Sequence, residues 1–134
     1  MRKKRYIEKL ELFEREMEFI KSHDMTDEIT ERALLYSLQV CVDIVMDAIA
    51  MLTKDMGLAV EDDYTNIAKL EEEGALKKED SELIRKFNGL RNAIVHKYSR
   101  LDLDTIKIGL KKIEELYNVI IKLINIGDKL SKKV

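Results

Sequence analysis

Apolar residues recur every three or four positions along almost the whole chain, and no proline interrupts them. From about Arg5 to Lys21, Ile7, Leu10, Phe13, Met17 and Ile20 fall on one stripe, the spacing of an amphipathic helix with a single buried face. Ser22 to Met25 breaks the pattern. Thr26 then offers a capping hydroxyl, and Asp27 and Glu28 the negative charge that favours a helix start, so a second helix is predicted over roughly 27–55. Ala33, Val40, Ile44, Ala48 and Met51 form one of its apolar stripes and Leu34, Leu38, Val45, Ile49 and Leu52 another, which makes it the central helix. The strip that remains reads Arg32, Tyr36, Gln39, Asp43 and Asp47, either a hydrogen-bonded edge in solvent or the wall of a cleft.

Gly57 can stop that helix, and the Glu61-Asp62-Asp63 run caps a short one from Tyr64 to about Glu73, ended by Gly74. Glu79 and Asp80 open the next, which carries Leu83, Phe87, Leu90 and Ile94 inward and reaches about Tyr98. Asp102 or Asp104 caps a last helix holding Ile106, Leu110, Ile113, Tyr117, Ile120 and Leu123 or Ile124. Short connections favour antiparallel neighbours. The expected fold is therefore all-α, an up-and-down four-helix bundle with a short extra helix, as a single domain over residues 1–134.

No stretch approaches the roughly 20 uninterrupted apolar residues of a membrane span. The basic start, Arg2 to Arg5, runs into an amphipathic segment without the apolar core of an export signal. The one cysteine, Cys41, lies in an apolar run where it packs as a small hydrophobe, in keeping with a reducing compartment. A soluble cytoplasmic protein is expected, with no membrane association. The net charge of -2 excludes a protein that coats nucleic acid through global positive charge. Any such contact is local, and one stretch suits it: residues 85–100 carry Arg85, Lys86, Arg91, Lys97 and Arg100 and no acidic residue.

The second of two histidines falls inside that stretch. His23 sits in the Ser22-His23-Asp24 turn, where solvent exposure is the ordinary outcome. His96 lies near a helix end, one turn after Asn92 and five residues after Arg91. On a regular helix Asn92 and His96 are about 40° apart, so the amide can hydrogen-bond the imidazole and fix its orientation. Arg91 and His96 are about 140° apart. Both reach one target if the arginine wraps round, if the helix end distorts, or if a second subunit completes the site. Cleavage of an RNA phosphodiester needs a base for the 2′-OH, an acid for the leaving oxygen and donors for the phosphate charge. Imidazole can fill either proton role and guanidinium can grip phosphate in two places. One useful histidine per chain covers one proton role, and two chains meeting on a two-fold axis supply both. Catalysis thus predicts a homodimer, as does the near-continuous apolar surface of residues 33–52. No metal-ligand spacing accompanies the motif, so neither a metal nor another cofactor is expected.

Arg91-Asn92-Ala93-Ile94-Val95-His96-Lys97-Tyr98 resembles the Arg-x4-His-x-Tyr signature of the HepT-like proteins in the HEPN superfamily. Glu31-Arg32-Ala33 followed by Gln39 and Asp43 resembles that family's second helix, and the likeness covers nearly the whole chain. It implies a helical homodimer acting as a ribonuclease toxin, with Arg91, Asn92 and His96 catalytic. It also implies a small MntA-like nucleotidyltransferase antitoxin that transfers AMP to the motif tyrosine, here Tyr98. Arg32, Gln39, Asp43, Lys97 and Arg100 are the candidate cleft or RNA-contact residues. The rival reading is a catalytically silent HEPN module that binds a nucleotide or protein in the same cleft. Intact Arg91, Asn92, His96 and Tyr98 favour the enzyme.

Overall fold

The computed structural model describes residues 2–96 and 102–132, and every regular element among them is helical. In chain order these are α1 (Arg2–Ser22), α2 (Glu28–Asp55), α3 (Asp63–Glu72), α4 (Lys78–His96), α5 (Leu103–Lys111) and α6 (Ile113–Lys132). The four long ones, α1, α2, α4 and α6, make the bundle. α2 touches α1, α3, α4 and α6, so the helix with the widest apolar circumference is the one in the middle.

Local chemistry sets the boundaries. Asp27, not Thr26, caps α2: its backbone is extended and its Oδ1 accepts the Thr30 N–H at 2.8 Å. An aspartate can take that amide as well as a threonine can, and it adds charge at the positive helix end. Asp62 caps α3 and Asp102 caps α5 in the same way. α2 and α3 both end on glycines in the left-handed region, Gly57 and Gly74, with the paired backbone bonds of a Schellman turn.

The last predicted helix is two helices. A single residue, Lys112, leaves helical geometry, and its N–H is shared between the Gly109 and Ile108 carbonyls. One residue out of line keeps Ile106 and Ile113 both buried, so the apolar spacing runs on through the break and cannot reveal it.

One cluster of buried apolar side chains fills the interior, led by Phe13, Leu34, Leu38, Leu52, Ile67, Ile84 and Leu116. Cys41 lies within it, and burial pushes its thiol well above the usual range. By length and composition α2 could cross a membrane, but here its apolar residues face the neighbouring helices. The same packing corrects one argument for a dimer. Most of the apolar surface of residues 33–52 is covered within the chain, leaving Ala33, Leu35, Val40 and Ala50 half-buried. α4 differs in detail from expectation too. Phe87 and Ile94 are buried, as are Ile84 and Asn88, whereas Leu83 and Leu90 are half-buried along an open groove of about 550 Å³ against α5 and α6.

Candidate active site

The site lies where the second half of α4 runs beside the middle of α2. Ile94 anchors α4 in the core, which turns Arg91, three residues earlier, half toward α2 and leaves His96, two residues later, exposed. Arg91 Nε donates to Asp43 Oδ1 at 2.8 Å, and Nη1 donates to the Asn92 side-chain oxygen at 3.1 Å. The Arg91 and Asp43 side chains are 31% and 41% exposed, so the pair sits at the edge of the core rather than inside it. A ligand can still reach it.

The hydrogen bond formed by Asn92 Oδ1 therefore goes to Arg91, where the sequence suggested an orienting bond to His96. α4 remains α-helical through His96, so distortion of the helix within the described residues does not bring arginine and histidine together. Reach does part of the work. The bond to Asn92 draws the guanidinium toward the helix line shared by Asn92 and His96, about 40° apart in rotation. Arg85 falls on that line as well, two turns before Asn92.

The polar line of α2 does not act as one wall. Arg32 pairs with Glu28 on its own helix, at high exposure. Asp47 accepts from Lys9 of α1 at 3.0 Å, Gln39 is half-buried, and Tyr36 is 63% exposed. Only Asp43 of this line is bonded to a motif residue among the described ones. The stretch 85–100 is acid-free in sequence but not in space, because α2 brings Asp43 to Arg91. The sequence signal for that contact was the place of Asp43 on the polar strip of α2. Lys97, Tyr98 and Arg100 lie outside the described residues. His23 is exposed in its turn, stacked on Phe19 with Nδ1 2.9 Å from the Phe19 carbonyl, where it closes the end of α1. Among the described residues no three His, Cys, Asp or Glu side chains group as a metal site.

Arginine, asparagine and histidine of the motif thus share one helix of an all-α bundle, with the arginine tied to the central helix. Residues 3–123 match the family described as Ribonuclease HepT-like, and the chain belongs to that family. A relative from Archaeoglobus fulgidus, named as a candidate RNase, is 52% identical over 98% of this chain and 99% of its own length. Two solved structures share the fold. One is a toxin–antitoxin with AMP-PNP, at 21% identity and TM-score 0.75 over 86% of this chain and 96% of that one. The other is a tri-AMPylated HEPN toxin of Shewanella oneidensis in complex with an MNT antitoxin, at 22% identity and TM-score 0.74 over 86% and 95%.

Proposed function

We propose that this chain is a metal-independent endoribonuclease toxin. The observation that carries the reading is a half-exposed Arg91, held at both Nε and Nη1, on the same helix as an exposed His96 in the family's motif. In the step proposed, a base takes the proton of an RNA 2′-OH and that oxygen attacks the adjacent phosphorus. The bond to the 5′-oxygen breaks, and an acid returns a proton to it. His96 fills one proton role and Arg91 stabilises the charge that builds on the phosphate oxygens. Two chains related by a two-fold axis fill both proton roles. The 140° between Arg91 and His96 on a regular helix supports such pairing, because neither chain alone aims both groups squarely at one phosphate. Lys97 and Arg100, which follow His96 in the sequence, and Arg32 and Gln39 on α2 are the further residues proposed to contact RNA. The site of action is the cytoplasm.

The partner proposed is an MntA-like nucleotidyltransferase antitoxin that transfers AMP to Tyr98. The modification adds negative charge two residues from His96 and competes with substrate phosphate for Arg91. The AMPylated toxin among the related structures supports this. Incubation with the partner and ATP should add adenylyl mass to the peptide containing Tyr98, and transfer that persists in Tyr98→Phe moves the control site elsewhere.

The chemistry has its own test. RNA incubated with the purified chain in EDTA should be cut to fragments ending in a 2′,3′-cyclic phosphate or 3′-phosphate and a 5′-hydroxyl. Light scattering should give twice the chain's 15.7 kDa. Cleavage that EDTA abolishes and added metal restores overturns the mechanism, and a stable monomer that still cuts RNA overturns the shared site.

A further inference from the structure

Asp43 is a carboxylate on a stretch of α2 whose neighbours Val42, Ile44 and Val45 are all buried. Its Oδ1 meets Arg91 at Nε, on the side of the guanidinium nearest the side-chain stem, while Asn92 Oδ1 meets Nη1. A guanidinium has five N–H donors. These two bonds use two of them and leave three, both of those on Nη2 included, which is enough for a two-pronged grip on a phosphate. Two acceptors from two helices also fix the plane in which that grip is presented. An arginine held from one side only would sweep through many rotamers and lose that freedom on binding.

We infer that Asp43 is a positioning residue for Arg91, acting with Asn92, and does not itself contact RNA. The inference rests on the ribonuclease reading and assigns Asp43 a place within it. A carboxylate touching substrate would repel the phosphate backbone. On the Nε side it orients the guanidinium while the outer N–H of Nη2, at the far end of the group, points away from it. Asp43 accordingly serves the transition state more than the ground state. Its loss lowers kcat and leaves KM for RNA unchanged or lower, because removing a negative charge beside Arg91 favours bound RNA.

The experiment is a double-mutant cycle on the full chain, with kcat and KM measured in EDTA. Asp43→Ala should lower kcat about tenfold or more, the scale on which misplacing a catalytic group is felt, with KM no higher than the parent's. Asp43→Asn keeps an oxygen that accepts the Nε–H and should recover most of the rate. Asp43→Ala on top of Arg91→Ala should cost nothing further, since the group it positions is gone. A parent-like Asp43→Ala, a loss that adds in full to that of Arg91→Ala, or a raised KM at unchanged kcat overturns the assignment; the last outcome marks an RNA contact. A second readout separates this from the function itself. The Arg91 Nε–H signal in ¹⁵N NMR should be protected from exchange in the parent and lost in Asp43→Ala. If the parent cuts no RNA the ribonuclease reading falls, and that signal alone then decides whether Asp43 orders Arg91. An Arg91 signal equally protected in both proteins overturns the positioning role.

Discussion

Two side chains reach from neighbouring helices to aspartates on α2, and their surroundings are opposite. Tyr6 of α1 donates to Asp55 at 2.7 Å from a position 1% exposed, its ring pressed against Gly127 of α6. Arg91 of α4 donates to Asp43 at 2.8 Å, three turns earlier on α2, and a third of it is open to solvent. The bonds have nearly the same length. One closes a place where three helices meet with no room to spare, and the other holds a charged group still while leaving it accessible. Stability is concentrated in the first region and the proposed chemistry in the second, so substitutions in the two should separate cleanly.

The largest stability effect belongs to the closed region. Tyr6→Ala removes a buried ring and leaves a cavity between α1, α2 and α6, and should cost about 3–5 kcal/mol in a denaturant melt. Gly127→Ala is the sharper probe. An added Cβ would stand 2.6 Å from two Tyr6 ring atoms, with no flexible chain end to yield, and should cost about 1–3 kcal/mol. In both variants the molecules that remain folded should cut RNA at the parent's rate.

The open region should behave in reverse. Arg91→Ala breaks a partly exposed ion pair, and its effect on unfolding free energy should stay within about 1 kcal/mol while cleavage falls by about 10²-fold. A large loss of stability there would make the Asp43–Arg91 pair a structural brace and erase the contrast.

The smallest effect expected is in acid. The capping carboxylates Asp27, Asp62 and Asp102 are each held below the ordinary 3.8, the first two chiefly by bonds from the backbone N–H of Thr30 and Thr65, the third chiefly by the Thr105 hydroxyl. A depressed carboxylate contributes stability in full above its unfolded value and loses it as pH falls through the folded one. Tm should therefore hold from neutrality down to about pH 4 on account of these caps and decline below it. Asp62→Ala should lower the plateau slightly and flatten the decline, and an unchanged slope in that variant would show that the cap does not contribute.

Much of this was legible in the sequence because helical spacing is a one-dimensional signal. The stripe of α2, most of that of α1, the glycine stops and the Arg91 to His96 motif can be read along the chain, but Ile7, expected inward, is 39% exposed and its neighbour Tyr6 is the buried residue. What could not be read involves two helices at once. The break at Lys112 keeps the apolar phase, so it leaves no mark on the spacing. Leu83 and Leu90 fit an inward stripe as well as Ile84 and Asn88 do, and only the position of α5 and α6 decides which are covered. The acid-free stretch around His96 was true of the sequence, yet Asp43 arrives from 48 residues away. Asn92 had a plausible partner in His96, one turn along, but accepts instead from Arg91, whose Nε donates to Asp43.

The central claim is that His96 moves a proton during RNA cleavage. The direct measurement is the single-turnover cleavage rate of His96→Ala against the parent, in EDTA, on samples matched for melting temperature. His96 is exposed at the end of α4, so the substitution leaves the core intact. The account predicts a rate lower by about 10²-fold or more, the usual weight of a general acid or base, at an unchanged melting temperature. A variant that cuts as fast as the parent would contradict it.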